Sequence, residues 1–131
     1  MLKTYTYPKF DYVCPPELAQ RREGHYPVVV VGAGPVGLSM AIDLAQQGQR
    51  VLLLDNDDTV SIGSRGVCYA KRTLEVLDRM GCGTPCVDKG MSWNVGRTFF
   101  GEGEVFNFNL RPQEGHQRPG MVNLQQYYLE D

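Results

Sequence analysis

Apolar positions along this chain fall into two regimes, dense and periodic from residue 28 to residue 54, aromatic and irregular before that. Val28, Val29, Val30 and Val31 form an unbroken β-branched run, the pattern of a central parallel strand covered on both faces. Gly32-Ala33-Gly34 follows as a turn. Residues 35–47 then set Val36, Met40 and Leu44, with Leu38, Ala41 and Ala45, at helical spacing, which predicts a helix with a broad apolar stripe. Pro35 suits its first turn, where a missing N–H costs nothing, and Gly48 suits the left-handed stop. Val51 to Leu54 predicts a second buried strand, ended by the polar cluster Asp55-Asn56-Asp57-Asp58. Together these segments make one β-α-β unit.

Upstream, residues 1–27 carry Tyr5, Tyr7, Pro8, Phe10, Tyr12, Pro15 and Pro16 without a period. They predict an extended arm with at most a helical turn at PELAQRRE, and its tyrosines call for a surface to pack on. Downstream, 61–66 reads as loop and 69–80 as a helix closed by Gly81, with Leu74, Leu77 and Met80 on one face and Val76 flanking it. RTFF and EVFNFNL flank GEG and predict a β-hairpin. A polar loop with Pro112, Gly115, Pro119 and Gly120 leads to another helix starting near Leu124. The fold class is therefore α/β, a Rossmann-like β-α-β unit with an appended hairpin. It divides into an arm, 1–27, and a dinucleotide-binding domain, 28–131.

Composition narrows the function classes. The chain has 131 residues, enough for one domain or a piece of something larger, and 42% hydrophobic with 21% charged residues describes a globular protein. A net charge of −2 supplies no broad basic field for nucleic acid or an anionic membrane. The amino terminus lacks the apolar core of a secretory signal, so the expected location is cytoplasmic. The four cysteines are then expected to stay reduced. Cys82 and Cys86 lack metal-site spacing and read as small, buried or half-buried residues in a loop. No metal site is assigned. His25 and His116 stand alone in loops and read as solvated. No nucleophile–base constellation is present, so no catalytic side chain is assigned.

The glycines carry the chemistry. In Gly32-Ala33-Gly34-Pro35-Val36-Gly37, the first glycine makes the tight turn, the second lets a pyrophosphate approach the backbone, and the third lets helix and strand pack closely. A phosphate at the helix amino terminus meets free N–H groups and the positive end of the dipole. Asp55, about twenty residues beyond the turn, is placed to accept hydrogen bonds from both hydroxyls of an adenosine ribose. Asn56 beside it joins the candidate set, while Asp57 and Asp58 disfavour a 2′-phosphate and so argue against NADP in this site. The expected ligand is an adenine dinucleotide. The fingerprint alone does not separate FAD from NAD.

VVVVGAGPVGLSMAIDLAQQGQRVLLLDND followed by SRGVCYAKRTLEVLDRMG resembles the flavoprotein aromatic hydroxylases, single-component class A FAD-dependent monooxygenases. The likeness is strongest over residues 28–81 and runs more loosely to LQQYYLE, leaving out the arm. It implies FAD as cofactor, with NADH or NADPH as co-substrate, O₂ as oxidant and a small aromatic, phenolic compound as substrate. In that family an arginine in an S-R-[AG] context contacts the FAD pyrophosphate or ribose, and the matching residue is Arg65. A glutamine near the start of the helix after the hairpin also touches the cofactor; it falls on Gln126, with Gln125 as a one-residue slip and Glu130 as the later acid. Asp55 departs from the glutamate of many members, keeping the carboxylate on a shorter reach.

The family's later D-G and G-D motifs do not occur in these residues, and the resemblance implies that the catalytic half and most of the substrate sheet lie beyond Asp131. An FAD-dependent oxidoreductase of other chemistry, a short non-catalytic dinucleotide-binding module and an ordinary NAD dehydrogenase stay open beside this reading. Oligomeric state is open too, a homo-oligomer included. A two-stranded parallel sheet with one crossover helix leaves both strand edges unpaired and one face of the apolar strands partly uncovered. The isolated chain is therefore expected to be marginally stable, prone to self-association and a weak FAD binder. Calorimetry and flavin titration check this; a cooperative transition from a clean monomer with tight FAD binding is the opposing result.

Overall fold

The computed structural model describes residues 5–63, 65–111 and 113–131. The first four residues of the arm, Ser64 of the arginine motif and Pro112 of the polar loop lie outside them. The chain divides into two compact units, Met1–Gly63 with Leu129–Asp131, and Ser64–Tyr128.

The first unit holds α1 (Pro16–Ala19), β1 (Val28–Val31), α2 (Pro35–Gln46) and β2 (Val51–Leu54). The two strands pair in parallel, from Val28 opposite Val51 to Val31 opposite Leu54. Gly48, at φ +77°, takes the left-handed position after α2, where its N–H donates to the Ala45 carbonyl. The β-branched run of β1 suggests cover on both faces, but two strands with one crossover helix are expected to leave one face partly open, and the open face is what is seen. Val29 is 52% and Val31 82% exposed, because within this unit the described sheet has two strands and one crossover helix, which cover one face. The stripe of α2 is likewise narrower than its spacing suggests: Leu38, Ala41 and Leu44 are half-buried, while Val36 and Met40 face outward.

The arm finds its surface on the segment that follows β2. Phe10 N–H donates to the Asp58 carbonyl at 2.8 Å, and the Thr59 hydroxyl donates to the Pro8 carbonyl at 2.6 Å. Lys9 pairs with Asp58 at 2.9 Å. Farther along, Arg50 pairs with Glu17 at 2.6 Å and lays its guanidinium over the Tyr26 ring.

The second unit runs β3 (Cys68–Ala70), α3 (Lys71–Arg79), α4 (Gly83–Lys89), β4 (Met91–Trp93), β5 (Val95–Phe100), β6 (Gly103–Asn109) and β7 (Met121–Asn123). A final helix, α5 (Gln126–Glu130), carries the boundary between the units. Strand β7 lies between β3 and β4, antiparallel to both, and β5 pairs with β6 as the expected hairpin. Leu74 and Val122 are fully buried, with Leu77, Cys86 and Leu124 nearly so.

Four expectations are corrected here. The helix of 69–80 begins only at Lys71, because residues 68–70 pair with β7, and a three-residue strand is too short to show a period. Cys86 is buried as anticipated, but in helix α4 and not in a loop; Gly83 and Pro85 sit in that helix's first turn, where proline is tolerated. The last helix starts at Gln126, since 121–123 are strand. His116 is half-buried, its Nδ1 3.2 Å from Lys71 Nζ, whereas His25 is exposed.

One close approach sets the geometry of the first unit. A Cβ on Gly37 would stand 1.8 Å from the Gly32 carbonyl oxygen. Gly37→Ala must push α2 away from the turn, and a loss of about 1–3 kcal/mol in stability is expected, the usual cost of overpacking. Urea denaturation of the wild-type and variant chains checks it.

Candidate functional site

The site is built where β1 turns into α2. Gly32 takes φ +103°, open to glycine and unfavourable to other residues, and its N–H donates to the Leu54 carbonyl at 2.7 Å. Gly34 caps α2 with extended backbone and no side chain, and Pro35 occupies the first helical position. The N–H groups of a helix's first turn have no partner within the helix. Proline contributes none, so Gly34, Val36 and Gly37 present theirs at the positive end of the dipole. Val36 is 85% exposed, leaving that end open.

Ala33 is used differently. Its N–H donates to Asp55 Oδ2 at 2.5 Å, and Asp57 N–H donates to Asp55 Oδ1 at 2.8 Å. The Ala33 bond, then those from the Asp57 and Asn56 backbones, hold the Asp55 carboxyl below its ordinary range despite partial desolvation. The group is ionised at neutral pH and fixed in direction. A carboxylate has about four acceptor sites, so two backbone bonds leave capacity for ribose hydroxyls.

A cleft of about 360 Å³ opens in front of this turn, lined by Gly34, Leu38, Asp55, Thr59, Glu130 and, from the arm, Phe10. That volume suits one end of a dinucleotide, since ligand pockets run from about 300 to 1,000 Å³. Glu130 anchors the edge: its Oε2 accepts from Ser61 N–H at 2.6 Å, its Oε1 from the Ser61 hydroxyl at 2.8 Å. A second, more apolar depression is lined by Val31, Gly32, Leu54, Asp55 and Asn56. Asp55 borders both.

The remaining candidates lie in the second unit. Arg65 is exposed, and its neighbour Gly66 donates its N–H to Gln126 Oε1 at 3.1 Å. Of the two adjacent glutamines, Gln126 makes this contact and Gln125 is exposed. Phe10, Thr59 and Ser61 reach the cleft without a sequence signal of their own, because loop and arm residues carry no period. The aromatic richness of the arm was the one available clue.

Whether these residues fit a dinucleotide is decided by comparing two glycines. Gly37 is required by the fold, as shown above. Gly34 is not: its φ of −72° is open to any residue, and an added Cβ would meet only Glu130 Oε1, at 3.9 Å. Its missing side chain leaves space in front of the helix terminus, as a diphosphate approaching the backbone requires. The residues fit the group. Gly34→Ala is expected to leave stability within about 0.5 kcal/mol of wild type while weakening FAD or ADP binding about tenfold or more. Urea denaturation and fluorescence titration read the two effects separately.

Comparison with known proteins agrees. Residues 25–130 match the family model described as FAD binding domain. A flavin-dependent monooxygenase of Mycobacteroides abscessus is 34% identical over 92 residues, 70% of this chain and 19% of its own length. The para-nitrophenol 4-monooxygenase of a Pseudomonas strain is 46% identical over 54 residues, 41% of this chain and 13% of that enzyme. The crystal structure of p-nitrophenol 4-monooxygenase PnpA from Pseudomonas putida superposes with a TM-score of 0.70 at 30% identity, over 80% of this chain and 27% of that one. The chain thus spans about a fifth or less of these two curated relatives. With its glycine turn, its acid at the end of β2 and a family match over most of its length, this chain belongs to the FAD binding domain family.

Proposed function

We propose that this chain is the FAD-binding portion of a monooxygenase that hydroxylates an aromatic, phenolic ring with NADH or NADPH and O₂. The observation that carries the reading is Gly34, a glycine the fold does not need at the mouth of a helix terminus, beside an Asp55 held ionised by backbone N–H groups. The relatives named above, two of them nitrophenol monooxygenases, support the reaction class.

Within this chain the work is binding and orientation. The N–H groups of Gly34, Val36 and Gly37 hold the pyrophosphate, with Ala33 and Pro35 shaping the turn around it. Asp55 accepts the ribose hydroxyls, and Asn56 borders the same ribose. Arg65 offers a planar, always charged guanidinium suited to a diphosphate, and Gln126 adds an amide contact. The bound flavin supplies the redox and oxygen-transfer chemistry, which protein side chains do not. The division into an arm, 1–27, and a dinucleotide-binding domain, 28–131, and a cytoplasmic location belong to the same proposal.

The test uses the protein as its source cell makes it. With NADH or NADPH, O₂ and a panel of phenols that includes 4-nitrophenol, phenol-dependent cofactor oxidation should yield a ring-hydroxylated product carrying an oxygen atom from ¹⁸O₂. Flavin reduction with no hydroxylated product from any phenol would instead assign a different flavin chemistry.

A further inference from the structure

The arm lies outside the family's glycine fingerprint, and its residues up to 24 precede the matched region altogether. One of them nevertheless lines the dinucleotide cleft. Phe10 shares that wall with Gly34 and Asp55. Its backbone is pinned by the bond from its own N–H to the Asp58 carbonyl, by the Thr59 bond to Pro8, and by the Lys9–Asp58 ion pair on the residue before it. The residue as a whole stays 54% exposed. Tyr12 and Val13, more exposed still, do not line the cleft. An aromatic residue fixed at its backbone, half-exposed and lining the same cleft as the Asp55 carboxylate, can serve as a stacking platform.

We infer that Phe10 is a specificity-determining residue for the cofactor, the wall on which the adenine base of the dinucleotide stacks. The inference rests on the FAD reading of the site. Phosphate at the Gly34 terminus and ribose at Asp55 leave the base as the remaining part of the adenosine half to be held. It is flat and uncharged, and it gains from an aromatic surface without needing a dedicated hydrogen-bond partner. The arm thereby makes adenosine, and not the pyrophosphate alone, part of what the site recognises. In this way a segment that adds little to the core contributes to the selection of FAD over a flavin mononucleotide.

The experiment is a competition titration of FAD fluorescence on the protein as its source cell makes it, with ADP and inorganic pyrophosphate as competitors, for wild type, Phe10→Ala, Phe10→Leu and Phe10→Tyr. Stacking on a base by one aromatic side chain corresponds to a loss of roughly five- to 150-fold on its removal. Phe10→Ala and Phe10→Leu are expected to weaken ADP and FAD by about that factor, leave pyrophosphate unchanged, and be rescued by Phe10→Tyr. Leucine keeps apolar bulk, so a loss shared with alanine reads the π-face and not the packing of the arm. Equal weakening of ADP and pyrophosphate overturns the inference, since the arm then merely supports the site. Unchanged ADP binding in all variants also overturns it and puts the base in the depression beside Val31 and Leu54. If the wild-type protein as its source cell makes it binds neither FAD nor ADP, the FAD reading itself fails, a result distinct from both.

Discussion

The first unit depends on how close helix α2 comes to the turn that precedes it. Gly37 sits against the Gly32 carbonyl at a separation no side chain would permit. That approach lets α2 start immediately after β1, so its amino terminus opens at the same end of the sheet as the last residues of β2. Asp55 is consequently within reach of Ala33 N–H. Without the approach, the free N–H groups of the helix and the carboxylate at the strand end would no longer face one cleft.

The electrostatics follow from that geometry. Asp55, Asp57 and Glu130 all border the cleft at the α2 terminus, a poor arrangement of point charges for any anionic ligand. It becomes workable because two of the carboxylates are already engaged. Asp55 is held by backbone N–H groups, and Glu130 accepts from Ser61. Positive potential at this cleft is left to the amino terminus of α2. Using a backbone N–H to orient Asp55 takes one donor, Ala33, from the turn and leaves those of Gly34, Val36 and Gly37.

Much of the fold was legible in local pattern. The strands Val28–Val31 and Val51–Leu54 matched their expected bounds, α2 differed by one residue at its end, and the hairpin stood where its aromatic runs placed it. These elements declare themselves because β-branched runs, helical spacing and glycine stops act within a few residues of chain. The three-stranded sheet of β3, β7 and β4 did not, since its strands have three residues each and exist only through pairing at long range. Helix α4 was hidden by the glycine and proline of its first turn, which suggest a loop unless the burial of Cys86 is known.

For the site, the sequence by itself determined the ligand class, because G-x-G-x-x-G and a distant acid are steric and hydrogen-bonding requirements written in residue type and spacing. Only the tertiary structure decided which glycine the fold requires and which it does not, since that depends on what an added Cβ would touch. It alone showed that the Asp55 carboxylate is held by the glycine turn, and that Phe10, forty-five positions before Asp55 in the chain, borders the same cleft. Such neighbours are made by the chain folding back on itself, and no local pattern records them.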